Sequence, residues 1–253
     1  MSQFNSPSML QTKLRIYLAG PDVFTRDPIA LAEKKRDICA RYGFEGVFPL
    51  DNNPELLTQD HKTPFHKALK ISRANEQLMQ TCDVLIANMT PFRGPNADTG
   101  TAYEMGYMRA LGKPVFAYAN VYTAADGLSG RQHIDRVRTY YGAINAREDG
   151  QTFEDPKQQM MVEDFGMVDN LMLDSAVFHS GGEIVVTPVS EDARYTDLKG
   201  FEECVRQAAA ELLPATYDEL DLASDISGDI AGDISGEYHD EFVYGIDAKP
   251  LTQ

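Results

Sequence analysis

Short apolar runs alternate with longer amphipathic stretches through the first half of the chain, and this alternation predicts a parallel α/β sheet. Leu14-Arg-Ile-Tyr-Leu-Ala19 reads as a buried strand closed by Gly20-Pro21. Residues 28–42 read as a helix, with Pro28 suited to its first turn and Gly43 to its C-terminal cap. Gly46-Val-Phe-Pro-Leu-Asp51 is expected as a short strand. Residues 65–81 follow as a helix, with Leu69, Leu78 and Met79 as core candidates. Asp83-Val-Leu-Ile-Ala-Asn88 is apolar enough for the centre of a parallel sheet, and Pro114-Val-Phe-Ala-Tyr118 is a fourth strand. Between them, a glycine-containing loop leads into a helix starting near Thr99, with Asp98 as its cap.

The second half is less regular. Residues 130–141 read as a helix, 145–163 as a polar excursion, and Glu183-Ile-Val-Val186 as a last strand. From 197 to 213, Leu198, Phe201, Val205, Ala208 and Leu212 recur at three- and four-residue steps, with Thr196 as the expected cap and Pro214 as the stop. Beyond Pro214 the composition changes to Asp225-Ile-Ser-Gly-Asp-Ile-Ala-Gly-Asp-Ile-Ser-Gly236, a three-copy repeat too poor in aromatics for a core of its own. The expected organisation is a flexible N-terminus (1–12), one α/β domain (13–213) and an acidic tail (214–253), with Tyr238 to Tyr244 able to dock back.

A net charge of -16 over 253 residues excludes the basic patches that nucleic acid or anionic membrane would require. No stretch approaches a membrane span, and the start lacks the features of a signal peptide. Cys39, Cys82 and Cys204 are odd in number and widely spaced, as in reduced, packed thiols of a cytoplasmic protein. His61 and His66 have no cluster around them, so no metal is expected. The chain also lacks a Gly-x-Gly-x-x-Gly after the first strand, a Walker loop and a Gly-x-Ser-x-Gly elbow.

Asp98 and Glu104 carry the chemistry. They are six residues apart, one capping a helix and the other about one and a half turns in. In a doubly wound sheet, the loops after Ala19, Pro49 and Asn88 converge on the same crevice. A carboxylate among Tyr103, Met105 and Tyr107 costs energy unless it is paired or used. The dipole favours an ionised Glu104, by roughly 0.3–1 kcal/mol. Asp98, in a loop, is the expected proton donor. Such a division of labour between two carboxylates suits glycosidic bond cleavage.

Ile16-Tyr-Leu-Ala-Gly-Pro-Asp-Val-Phe24, Phe48-Pro-Leu-Asp-Asn52, Ala87-Asn-Met-Thr-Pro-Phe-Arg-Gly94, Asp98-Thr-Gly-Thr-Ala-Tyr-Glu104 and Asn170-Leu-Met172 together resemble nucleoside 2-deoxyribosyltransferases, over about residues 14–175. The resemblance implies a flavodoxin-like fold and exchange of the base on a 2'-deoxynucleoside, without cofactor. It makes Glu104 the nucleophile at C1', Asp98 a contact to sugar and base, and Tyr17 the group that positions Glu104. Phe24 would pack on the base and Asn53 would meet its edge, with Asp22 and Gly100 also at the substrate. Asn170 and Met172 would complete a neighbouring subunit's site, implying a homo-oligomer. The chain departs from the family at Asn75, eight residues before Asp83, where an acid/base aspartate is common; Asp98 then carries more of the proton transfer. The negative charge of Asp22 favours nucleosides over 5'-nucleotides. The alternatives are a deoxynucleoside or deoxynucleotide N-glycosidase of the same fold, and a non-catalytic nucleotide-binding protein.

Overall fold

The computed structural model describes residues 12–51 and 63–214. The chain divides into two units, Met1–Leu213 and Pro214–Gln253, and all the described elements lie in the first. Residues 1–11, Asn53, His61, the 225–236 repeat and Tyr238 to Tyr244 lie outside the described residues.

The first unit is built on a five-stranded parallel sheet. In chain order its strands are β1 (Arg15–Ala19), β2 (Glu45–Val47), β3 (Val84–Asn88), β4 (Val115–Val121) and, after a separate small sheet, β8 (Val185–Pro188). Their spatial order is β2-β1-β3-β4-β8. This is the 2-1-3-4-5 order of flavodoxin-like folds, whose strand order reverses between β1 and β3. Tyr17 pairs with Leu85 and Ala19 with Ala87, so the carboxyl ends of the two switch-point strands lie level.

Strand alternation divides the core between the two faces. Ile16 and Leu18 pack with Ile38 of α1 (Pro28–Arg41) and with Phe201, Val205 and Ala208 of the C-terminal helix. Tyr17 and Ala19 turn the other way, toward Met79 of α2 (Pro64–Gln80), Met105 and Met108 of α3 (Thr99–Ala110) and Val177 further on. Asp27 and Thr63 cap α1 and α2 by accepting from Ala30 N and His66 N. A third cluster joins Ile134 and Val137 of α4 (His133–Tyr141) to Val162.

The structure corrects several boundaries. The second strand is only three residues long, because Pro49–Asp51 turns into a 3-10 helix in which Asp51 Oδ2 accepts from Phe48 N at 2.8 Å. The polar excursion contains an antiparallel sheet of two-residue strands: β5 (Asn145–Ala146), β6 (Phe153–Glu154) and β7 (Met161–Val162). Helix α5 (Leu171–Phe178) was not expected; it is apolar almost all round, so no stripe marks it. Helix α6 (Lys199–Leu212) has Leu198 at its cap position and so no side-chain cap, and Thr196 instead closes the turn before it. Leu69 is 53% exposed on the outer side of α2, while Met79 is buried and Leu78 packs against the core.

Among the described residues, no helix is long and apolar enough to cross a membrane. Cys39, Cys82 and Cys204 are free and buried.

Candidate active site

Glu104 and Asp98 meet at the start of α3, beside the switch point between β1 and β3. Asp98 caps the helix: its Oδ2 accepts from Thr101 N at 3.0 Å and from Thr101 Oγ1 at 3.2 Å. A Cβ at Gly100 would sit 3.0 Å from the same Oδ2, so glycine keeps this turn open around the carboxylate. Glu104, partly buried, accepts a 2.7 Å hydrogen bond from the hydroxyl of Tyr17, which is fully enclosed on β1. Sequence separation between these two partners is 87 residues, and the packing of α3 on β1 and β3 brings them together.

Opposing effects act on the Glu104 carboxyl. Burial pushes its carboxyl up to about 7, the Tyr17 hydrogen bond pulls it down, and the charge of Asp98 adds a further upward push. The roughly 0.3–1 kcal/mol available from the helix dipole does not outweigh desolvation. Tyr17 is itself raised far out of its ordinary range, first by burial and then by the charge of Glu104, so it stays a hydrogen-bond donor.

The turn after β1 supplies an aromatic rim. Phe24 is 58% exposed and stacks on Phe92, with centroids 5.3 Å apart and planes at 15°. Arg93, in the left-handed region at φ 56, lays its guanidinium over both rings. Asp22 does not face this rim. Its carboxylate is buried against Lys35 Nζ at 2.9 Å and also accepts from Asn88 Nδ2. With Lys35 offsetting it, Asp22 no longer argues against a substrate phosphate. A Cβ at Gly20 would fall 2.3 Å from Asp22 Oδ2 and 2.6 Å from Asn88 Cβ, so this approach requires glycine.

Asn75 is half-buried on α2, the helix that packs against α3. Asn170 caps α5 by accepting from Met172 N at 3.0 Å, and Met172 is 70% exposed. Asn53 lies outside the described residues.

A buried ion pair that sequence reasoning did not identify ties these segments together. Asp169 accepts from Ala97 N at 2.9 Å, from Asn96 Nδ2 at 3.2 Å and from Asn170 N at 2.8 Å. Arg136 pairs with it at 3.2 Å and donates to the carbonyls of Pro95, Gly130 and Val168. The residues preceding Asp98 and those preceding Asn170 are therefore held by one network. Its only trace in the sequence is Asp169 standing next to Asn170.

The family model for nucleoside 2-deoxyribosyltransferase matches residues 16–172. The chain belongs to this family. Every candidate residue named above, from Tyr17 to Met172, falls within the matched span. The chain is 31% identical to an uncharacterised protein of Schizosaccharomyces pombe, over 73% of its own length and 86% of that protein's. Among solved structures it is similar to a 2-desoxiribosyltransferase from Leishmania mexicana, at 27% identity and a TM-score of 0.45, covering 73% of this chain and 96% of that one. It is also similar to a 2-deoxyribosyltransferase from Bacillus psychrosaccharolyticus, at 24% identity and a TM-score of 0.34, covering 42% of this chain and 72% of that one.

Proposed function

We propose that this deoxyribosyltransferase-family protein exchanges the base of a 2'-deoxyribonucleoside through a covalent deoxyribosyl–Glu104 intermediate, as a step in nucleoside salvage. The observation that carries the reading is the Tyr17–Glu104 hydrogen bond of 2.7 Å beside Asp98. It fixes one carboxylate oxygen and leaves the other to reach the substrate.

In the first step an Oε of ionised Glu104 attacks C1' and the glycosidic C–N bond breaks. Its electron pair goes to the base nitrogen, which takes a proton, with Asp98 as donor. In the second step a ring nitrogen of the incoming base attacks the same carbon, its proton passes to the Asp98 carboxylate, and the C1'–O bond breaks to release the Glu104 carboxylate. Two inversions preserve the β configuration. Without a 2'-hydroxyl, the cation-like transition state is less destabilised, and the carboxylate beside C1' stabilises it electrostatically. Phe24 packs on the base. Asp22 acts at one remove, by anchoring the turn that carries Phe24. Asn75, Gly100 and Asn53 complete the substrate contacts, and Asn170 and Met172 serve the site of a neighbouring copy in a homo-oligomer. The reading places the protein in the cytoplasm, as a single 13–213 domain with flanking segments.

The deciding experiment incubates the protein with deoxyinosine and adenine and separates the products by chromatography. Deoxyadenosine and hypoxanthine are expected in equal amounts. Free deoxyribose without deoxyadenosine would establish a hydrolase instead, and no turnover of either donor or acceptor would favour a non-catalytic binding protein.

The pH profile follows from the ionised form being the reactive one. Below about 7 the reactive fraction of Glu104 falls, so kcat/KM is expected to drop about tenfold per pH unit on the acid side and to level off above. The Tyr17 hydrogen bond favours the ionised carboxylate, so Tyr17→Phe should move the acid limb to higher pH. An unmoved limb in that variant would remove Tyr17 from the role assigned to it.

A further inference from the structure

A cavity of about 290 Å³ opens at the carboxyl end of β4 behind the loop that follows β3. None of Tyr17, Asp98 or Glu104 lines it. In a chain with 39 acidic residues and a net charge of -16, no carboxylate among the described residues lines this cavity either. The charged residues among its described lining are Arg136 and Arg194. Arg136 is committed to Asp169 and to three backbone carbonyls. Arg194 is not so committed. Its guanidinium lies 5.4 Å from the ring centroid of Tyr122 and 4.9 Å from that of Tyr195, and it has no ion pair among the described residues.

Two buried polar atoms of the lining residues lack partners. Arg194 Nε has no acceptor and Asn120 Oδ1 has no donor, although Asn120 Nδ2 donates to the carbonyls of Arg194 and Asp197. Unpartnered buried groups are uncommon and call for a ligand, water or function to explain them. Tyr122 and Tyr140 add aromatic walls, and Tyr140 is 58% exposed.

We propose that this cavity binds a small anion carrying an aromatic ring, of the nucleoside monophosphate class, with Arg194 taking the anionic group and Tyr122 and Tyr140 flanking the ring. A guanidinium held on aromatic faces presents its remaining donors in the planar fork that matches phosphate oxygens. The volume lies near the lower end of ligand pockets and suits a mononucleotide better than a dinucleotide. Arg194 lies beyond the family-matched residues 16–172.

Occupancy would be felt in the candidate active site. Tyr195 donates to the carbonyl of Pro91 at 2.7 Å and meets the edge of Phe92, whose ring stacks on Phe24. A ligand on Arg194 therefore bears on the aromatic rim through one shared loop. This effect on base exchange rests on the proposed function; the binding itself does not.

The test is calorimetric titration of AMP into the full chain carrying Glu104→Gln, with and without saturating deoxyinosine, and with adenosine and inorganic phosphate as separate arms. AMP is expected to bind in the presence of deoxyinosine, and at least tenfold more tightly than adenosine or phosphate alone. Arg194→Met should weaken AMP binding at least tenfold, while base exchange without AMP, measured with Glu104 intact, stays unchanged and shows the variant folded. Absent binding, equal binding by Arg194→Met, phosphate binding as tightly as AMP, or displacement by deoxyinosine would each overturn the proposal. Should base exchange itself fail to appear, the Arg194→Met titration still decides the binding site, and circular dichroism replaces activity as the folding control.

Discussion

Glu104→Gln is expected to lower base exchange by at least about 10³-fold, because an amide cannot form the covalent bond to C1'. The substitution is close to isosteric, and its side-chain oxygen can still accept from Tyr17, so the pocket should keep its shape. Stability should move the other way. The folded carboxyl of Glu104 holds its proton up to about 7, against 4.5 for the free group. The wild-type protein therefore loses stability as pH rises from about 4.5 through about 7, where the buried charge must form. The variant escapes that cost. Its advantage should be negligible near pH 4 and grow to roughly 2 kcal/mol by pH 8, after a discount for the partial exposure of the site. Thermal melts at the two pH values, paired with the exchange assay, check both halves. A variant that loses activity and is also less stable at pH 8 would point to simple disruption. Retained activity would remove Glu104 from the chemistry. Gain of stability with loss of function at one residue is what a strained, functional carboxylate predicts.

The parts of this site that were legible in the sequence are those governed by local rules. Asp98 before a glycine and a threonine reads as a cap, and six further residues place Glu104 on the first turns whatever the rest of the chain does. Strand identity was equally local, since β3 opens on the run Val84–Ala87 and β4 on Val115–Ala119, and a central parallel strand, buried on both faces, has no solvent side. What failed depended on partners distant in sequence. Leu69 looked like core because its helix is amphipathic, yet the sheet covers the side that carries Met79. The two-residue strands of the small sheet are shorter than any periodicity can register. The upward pull of burial on Glu104 was not legible either, because the dipole can be read from a helix start and burial cannot. The ion pair of Asp22 was illegible because nothing in the run Glu33-Lys-Lys-Arg36 distinguishes the one lysine that turns inward.

That lysine leads to the largest expected change in stability. Lys35 Nζ and Asp22 Oδ1 are 2.9 Å apart with both side chains 1% exposed, and the ammonium also lies 4.9 Å from the ring centroid of Phe201. Lys35→Met keeps the stem and removes the charge, leaving Asp22 buried with, among the described side chains, the Asn88 amide to solvate it. Stranding one partner of a buried pair costs about 3–5 kcal/mol. A urea denaturation midpoint should fall accordingly, with an unchanged slope. Asp22→Asn in the same chain removes the stranded charge, so the double variant should recover most of the loss; additive destabilisation would show that packing around the lysine stem matters more than the charge. The consequence should reach the site as well. Asp22 lies in the turn Pro21–Phe24, and through Asn88 it binds that turn to the end of β3. At a temperature where Lys35→Met remains folded, KM for the deoxynucleoside should rise more than kcat falls, because Phe24 loses its anchor while Tyr17 and Glu104 keep theirs. Equal effects on both constants would instead place the damage at Glu104 itself.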